Sequence, residues 1–244
     1  MEFNLEAARI TSLPEDAFYI ADFITEDEEE LLLHKITTAP LPRWTQLSHR
    51  RLQTWPSALT KSNTLIASPL PSWLVSPIIA PRFDSLGIFT DAPHGSPNHV
   101  LINEYRPGQG IMPHEDGATY YPLVATVSLG ASIVLDLYSK DQSSSEANGD
   151  GAAGVRQPQY RIMQERRSLL VTRRKIYTDF LHGIADVNSD EGLSPDMISN
   201  WDLLREKDRY QCGRYDRGTR ISLTYRDVLK VSKLGNTMKF LGAQ

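Results

Sequence analysis

Short runs of apolar and β-branched residues, rather than helical periodicity, dominate the second half of this chain, and strict apolar–polar alternation marks the last of them. The segments HVLINEY (99–105), LVATVSLG (123–130), SIVLDLYS (132–139), QYRIMQ (159–164), RSLLVTRR (167–174) and TRISLTYRDV (219–228) are short, rich in β-branched residues and separated by turn formers, a pattern that predicts a sandwich or jelly roll. Nearer the start, FYIADF (18–23) reads as a strand and the period then changes. Thr25 and Glu28 stand at capping-box spacing before a run with leucines on one side, so a helix should follow. The acidic residues 26–30 suit the positive end of that helix and are expected to form a solvated face.

Between Pro40 and Pro97 the chain is proline-rich and carries Trp44, Trp55 and Trp73, which predicts loops and short elements wrapped on a scaffold. Arg43, His49, Arg50 and Arg51 lie close in sequence to Trp44 and Trp55. Basic groups interleaved with aromatics can grip phosphates while bases stack; equally, surface arginines can cover a partly buried tryptophan. The Ser/Gly/Ala-rich stretch 140–159 reads as a mobile loop between two strands. No fixed repeat and no linker appears, so the organisation expected is one domain: a helical and loop-rich elaboration at 1–97 that carries a substrate lid, a core at 98–232, and a tail at 233–244.

Composition narrows the function classes. The 244 residues contain 26 Lys plus Arg against 30 Asp plus Glu, a formal charge of −4, which excludes a strongly basic nucleic-acid coat protein. Any phosphate binding must then rest on local clusters such as Arg50 with Arg51, or Arg173, Arg174 and Lys175, the latter also readable as an ordinary strand-end surface. The single cysteine, Cys212, permits no intramolecular disulfide, zinc ribbon or CxxC pair, which points to a reducing compartment, cytoplasmic and nuclear. The first residues lack a basic segment followed by an apolar stretch, and no 18 apolar residues run together, so neither a secretory signal nor a membrane span is expected.

The chemistry concentrates in a few residues. In MPHEDG, His114 and Asp116 are two positions apart, and on an extended backbone such residues project to the same side. His182, in DFLHGIAD and placed just after a strand, offers a third ligand. Two histidines and one carboxylate on one face of a metal, with other positions open, suit non-haem Fe(II). The other histidines are read as ordinary structural residues: His34 sits on the amphipathic helix, and His49, His94 and His99 lie in loops without a carboxylate at ligand spacing. In TRISLTYRDV, Arg220, Ser222, Thr224 and Arg226 alternate with Ile221, Leu223 and Tyr225. Two inward arginines require anions: either internal acids, or a dicarboxylic co-substrate with one end on the metal and the other on Arg220. Asn103 and Tyr105 repeat the two-residue spacing, and Tyr105 also fits a core role.

NEY (103–105), HED (114–116), the later His182 and RISLTYR (220–226) stand in one order, and in that order the chain resembles the AlkB-like 2-oxoglutarate and Fe(II) dependent dioxygenases. The resemblance implies a mainly β fold with flanking helices, a double-stranded β-helix (jelly roll) under an N-terminal lid. It implies Fe(II) on His114, Asp116 and His182; 2-oxoglutarate against Asn103, Tyr105, Arg220, Ser222 and Arg226, with the distal carboxylate on Arg220; and O2 as the oxidant. Ser222 departs from the family pattern, which has Asn there. The stretch 186–209 reads as an insertion near the mouth of the site. Substrate contacts are expected from Arg50, Arg51 and Trp55 in the lid. The implied reaction is oxidative demethylation of N-alkylated nucleic acid by a monomer, on single-stranded substrate or a flipped base. A protein hydroxylase or demethylase on the same metal site, or a catalytically silent nucleic-acid binding module, remain alternatives.

Overall fold

The computed structural model describes residues 4–14, 16–140 and 157–233; most of the loop at 140–159 and nearly all of the tail at 233–244 lie outside them. Two antiparallel sheets carry the chain. The larger contains β1 (Ala17–Ile20), β2 (Thr45–Gln46), β3 (Arg51–Trp55), β5 (His99–Tyr105), β7 (Leu123–Leu129), β10 (Leu169–Arg173) and β14 (Arg220–Arg226), in the order β1-β10-β7-β14-β5-β3-β2. The smaller contains β6 (Ile111–His114), β8 (Ile133–Ser139), β9 (Tyr160–Gln164) and β11 (Phe180–Ile184), in the order β6-β11-β8-β9. From β5 to β8 successive strands alternate between the sheets, and the chain crosses again after β9, β10 and β11, which is the winding of a jelly roll. Two strand pairs lie outside these sheets: β4 (Leu65–Ile66) runs parallel to β15 (Val231–Ser232), and β12 (Ser189–Glu191) antiparallel to β13 (Arg214–Asp216).

Period two explains why all seven residues of β14 are buried although four are polar. Ile221, Leu223 and Tyr225 face outward into an apolar cluster with Val100 and Ile102 of β5 and Ala125 and Val127 of β7. The layer covering them comes from helix α1 (Glu26–Thr37) through Leu32 and Ile36, and from Leu74, Ile78, Ile79 and Phe83. Arg220, Ser222, Thr224 and Arg226 face the other way, into the space between the sheets. The core strands follow the alternation in the sequence closely. The helix begins where expected: Thr25 accepts from the Glu28 amide at 3.2 Å while the Glu28 carboxylate accepts from the Thr25 amide at 2.8 Å.

Three expectations need correction. Residues 1–97 are not only a helical and loop-rich cover, because β1 extends the larger sheet at one edge and β2 and β3 extend it at the other. The apolar residues of these segments complete a sheet that the core strands alone would leave with open edges. The stretch 186–209 lines no part of the cavity between the sheets. It packs instead on the smaller sheet, burying Ile198 and Leu204 beside Ile162 and Met163. The Asn200 side chain serves both backbone groups of Met163, and Glu165 accepts from the amides of Arg205 and Glu206.

The acidic run on α1, finally, is not wholly a solvated face. Glu29 is only 1% exposed. Its carboxylate accepts from the Gly130 amide at 2.8 Å and from Arg166 Nε at 3.0 Å, which fastens the helix to the larger sheet. Among the described residues no helix is long and apolar enough to cross a membrane. Replacing Glu29 with Ala should destabilise the protein by about 2–4 kcal/mol, toward the low end because Arg166 keeps partial solvent contact; Glu29→Gln should recover part of the loss. Chemical denaturation of both variants checks this.

Candidate metal centre and its cavity

β6 and β11 pair so that His114 lies directly opposite His182, and their ring centroids are 4.3 Å apart. Asp116 turns in from the second residue beyond β6. The three side chains present ligand atoms all within 4.8 Å of one another, the one such cluster of three or more among the described residues. His182 therefore sits within a strand rather than just after one. That strand was hidden in the sequence by Gly183, a weak strand former. The glycine suits the close approach here: a Cβ on it would lie 3.1 Å from the carbonyl oxygen of Ile111 and from the nitrogen of Pro113, so any larger residue would require β6 to shift by a few tenths of an ångström from β11.

Supporting groups set the chemistry of the three donors. Nδ1 of His114 lies 2.9 Å from the Met112 carbonyl, which can only accept. Nδ1 must then carry the proton, leaving Nε2 with its lone pair free for a metal. Burial, ahead of the surrounding charges, lowers the His182 pKa to about 4, so its ring is neutral at physiological pH. Arg226 binds one oxygen of Asp116 at 2.6 Å, and its guanidinium lies 4.8 Å from the Tyr120 ring. The Tyr177 hydroxyl donates to the Gly117 carbonyl at 2.7 Å, fixing the loop just after Asp116.

The donors open into a cavity of about 290 Å³ between the sheets. Asn103 and Tyr105 from β5 and all four inward residues of β14 line it, as does Arg50. Arg220 lies fully inside, with its Nη2 donating to Ser128 Oγ at 2.9 Å and to Gln164 Oε1 at 3.0 Å. Both partners are neutral. Burial pushes its pKa down to about 10, which still leaves it charged at neutral pH. Its Nε and that of Arg226 have no partner among the described residues. Burial also raises the Tyr105 pKa, against the influence of Arg50, Arg220 and Arg226. Of the two ways to satisfy the inward arginines, an internal acid thus serves Arg226, through Asp116, while Arg220 has none. A nitrogen and oxygen donor set on one face, beside a buried cation that lacks an anion, fits a divalent metal together with a dicarboxylate.

Of the candidate lid residues, the structure brings only Arg50 into the cavity. Arg51 points to the opposite face of the sheet, donates to Glu104 at 2.8 Å and stacks 4.0 Å from the Trp44 ring. Trp55 lies on the same outer face, between Arg43 at 4.0 Å and Trp73 at 5.6 Å. Alternation separates these neighbours, since one step along a strand reverses the side chain. In the other basic cluster, Arg173 and Arg174 both approach the buried Asp16, at 3.3 and 3.6 Å. Ser128, Gln164, Tyr120 and Tyr177 were not singled out in the sequence. Ser128 and Gln164 were visible as polar residues inside strand patterns, whereas nothing local marked the two tyrosines.

Comparison with known proteins agrees with this geometry. Residues 30–226 match the family described as the 2OG-Fe(II) oxygenase superfamily. The probable RNA/DNA demethylase ALKBH6 of Danio rerio is 38% identical over 231 residues, covering 93% of this chain and 92% of that protein. The tRNA (carboxymethyluridine(34)-5-O)-methyltransferase ALKBH8 of Macaca fascicularis is 27% identical over 240 residues, 90% of this chain but only 31% of that longer protein. Among solved structures, OsALKBH1 superposes with a TM-score of 0.54 at 13% identity, covering 88% of this chain and 98% of that one. A 2OG-Fe(II) oxygenase family oxidoreductase from Burkholderia pseudomallei gives 0.51 at 11%, covering 95% and 96%. These two show the shared fold. The resemblance to AlkB-like dioxygenases carried by the motifs is borne out.

Two measurements check the site. His182→Ala should weaken divalent-metal binding by about 100-fold or more, and Arg226→Ala by about 10–100-fold as an outer partner of a ligand; calorimetric titration with Mn(II) reads both. His99, 2% exposed, also has its pKa lowered to about 4, by burial and then by Arg226. Since the folded values of His99 and His182 lie below the unfolded one, the unfolded chain takes up protons first as pH falls. Their contribution to stability is complete above about pH 6.5 and declines as pH falls toward 4. In chelated protein, His99→Leu should flatten that decline in thermal midpoint; a curve parallel to wild type would refute the assignment to His99.

Proposed function

We propose that this chain, which belongs to the 2OG-Fe(II) oxygenase superfamily, uses its dioxygenase centre to remove N-linked alkyl groups from nucleic-acid bases. The enzyme class needs no proposal: the chain is a 2-oxoglutarate-dependent dioxygenase of AlkB type. The nucleic-acid substrate is the proposed step. The observation that carries it is the 38% identity to the probable RNA/DNA demethylase ALKBH6, which extends over nearly the whole of both chains, in a chain whose His114, Asp116 and His182 cluster as metal ligands.

His114, Asp116 and His182 would hold Fe(II) by one face. Bound iron and 2-oxoglutarate together supply the activation of O2, with the co-substrate leaving as succinate and carbon dioxide. Arg220 would receive the distal carboxylate of the co-substrate. Ser128 and Gln164 already orient its guanidinium, and among the described residues no internal acid competes for it. Arg226 keeps Asp116 aligned while blocking one of its oxygens. Leu101, Val124, Leu135, Leu137 and Leu170 wall the cavity with hydrocarbon and restrict water near the reacting centre. Tyr120 and Tyr177 flank the metal end, where a planar base could lie. Hydroxylation of a carbon attached to a base nitrogen gives an N–CH2OH group. Its C–N bond breaks to release formaldehyde, and the hydroxyl proton ends on the nitrogen. A base in a duplex would need to be extruded first, so single-stranded substrates are favoured by a few kcal/mol.

Incubation of iron-loaded protein with N-methylated oligonucleotides, 2-oxoglutarate and O2 should yield succinate and formaldehyde in equal amounts, both abolished in Asp116→Ala. Succinate formed alongside unchanged nucleosides, with a peptide gaining an oxygen atom instead, would move the substrate to protein.

A further inference from the structure

We propose that Arg50 is a third guanidinium for the co-substrate, closing on 2-oxoglutarate beside Asn103 from a turn that spans the two sheets. The inference rests on the oxygenase reading and goes beyond it. It reassigns Arg50 from the substrate contacts expected of the lid to the binding of the co-substrate.

The turn between β2 and β3 fixes where Arg50 begins. Its carbonyl accepts from the Leu47 amide at 2.9 Å, and the Gln46 side-chain amide donates to the Leu47 carbonyl at 2.7 Å and to that of Arg50 at 3.3 Å. His49, next to it, reaches Asp186 at 3.3 Å, two residues beyond the end of β11. A turn that belongs to the larger sheet is thus tied to the smaller one. The side chain of Arg50 enters the cavity, and its Nε donates to Asn103 Oδ1 at 3.1 Å.

Charge then argues for an anion at this place. Arg50, Arg220 and Arg226 all face the cavity, and of these only Arg226 has a carboxylate partner among the described residues. Glu115, the other acid of the lining, is engaged by Lys140. A bound divalent metal would add still more positive charge. Arg50 forms no ion pair among the described residues, so both its charge and its Nη donors remain to be used. Mutual repulsion among cations in a low-dielectric cavity is relieved most directly by a dianion.

Position favours the co-substrate over a substrate phosphate. Asn103 pairs in register with Ser222, two residues from Arg220 along β14. Two residues of strand span about 7 Å, the scale of a five-carbon diacid whose far end rests on Arg220. Ser222 is short and brings only a hydroxyl to this level. Arg50, braced on Asn103, brings charged donors toward the same level from the edge of the same sheet, on the far side of β5 from β14.

Calorimetric titration of the full chain, loaded with Mn(II) and without oxygen, tests the assignment. Arg50→Ala should weaken 2-oxoglutarate binding by about 10–100-fold, as loss of a charged hydrogen bond implies. Arg50→Lys should lose less. Adding Ser222→Asn to Arg50→Ala should recover affinity by restoring a donor at the same level, which guards against simple misfolding. Metal affinity measured without 2-oxoglutarate should stay at the wild-type value. In wild type, 2-oxoglutarate should slow hydrogen exchange at residues 46–51, and in Arg50→Ala it should not. An Arg50→Ala protein with wild-type 2-oxoglutarate affinity would overturn the proposal; a salt slope for oligonucleotide binding lower by about one would then assign Arg50 to a phosphate. Wild-type protein that binds metal but no 2-oxoglutarate would remove the oxygenase reading as well, a failure distinguishable from loss of the inference alone.

Discussion

Keeping a fully buried guanidinium charged inside a β-sandwich, with no acid beside it among the described residues, is the constraint on which the rest of this structure depends. Arg220 donates to a hydroxyl and an amide and lies 6.0 Å from the Tyr105 ring, contacts that orient it without neutralising it. A charge in that position is tolerable when a guest anion completes the site, and costly otherwise. The neighbouring Arg226 shows the other solution, since it is consumed by Asp116 and so helps to aim a metal ligand. One strand thus supplies two cations of the same kind with opposite duties, and the difference lies entirely in what faces them.

The polar inner face is stable because the outer face of the same sheet is strongly apolar. Tyr225, Leu223 and Ile221 pack under α1 and the segment around Phe83, so the strand that presents two arginines inward also anchors a hydrophobic layer outward. Burial of Glu29 against Arg166 and the Gly130 amide holds that layer in place. On the other side, residues 186–209 brace the smaller sheet through Ile198, Leu204 and Asn200. Support for the metal centre therefore comes largely from residues that never touch it, which frees the cavity walls to carry charge.

The site also joins the sheets. His114 and His182 belong to the smaller sheet, Arg220 and Arg226 to the larger, and Asp116 with Arg226 is a direct bond between the two. The His49–Asp186 contact forms another, outside the cavity lining. Binding of metal and co-substrate would act on the same gap, so occupancy and closure are physically coupled.

Much of this was written in local pattern. Alternation in TRISLTYRDV fixed which side chains face inward, because the strand period leaves no choice once one face is apolar. The capping box at Thr25 and Glu28 set the start of α1, and the order of NEY, HED, His182 and RISLTYR picked out groups that the fold brings around one cavity. Other features depended on partners distant in the chain. Nothing near Glu29 reveals that Arg166 will bury it, and although alternation sends Arg50 and Arg51 to opposite faces, nothing local says which of them enters the cavity and which turns to Glu104. Local sequence sets period and propensity, whereas burial and charge pairing are decided by which remote surfaces meet. For that reason the reacting groups could be read from the chain, but the environment that gives each its task appeared only when the two sheets were brought together.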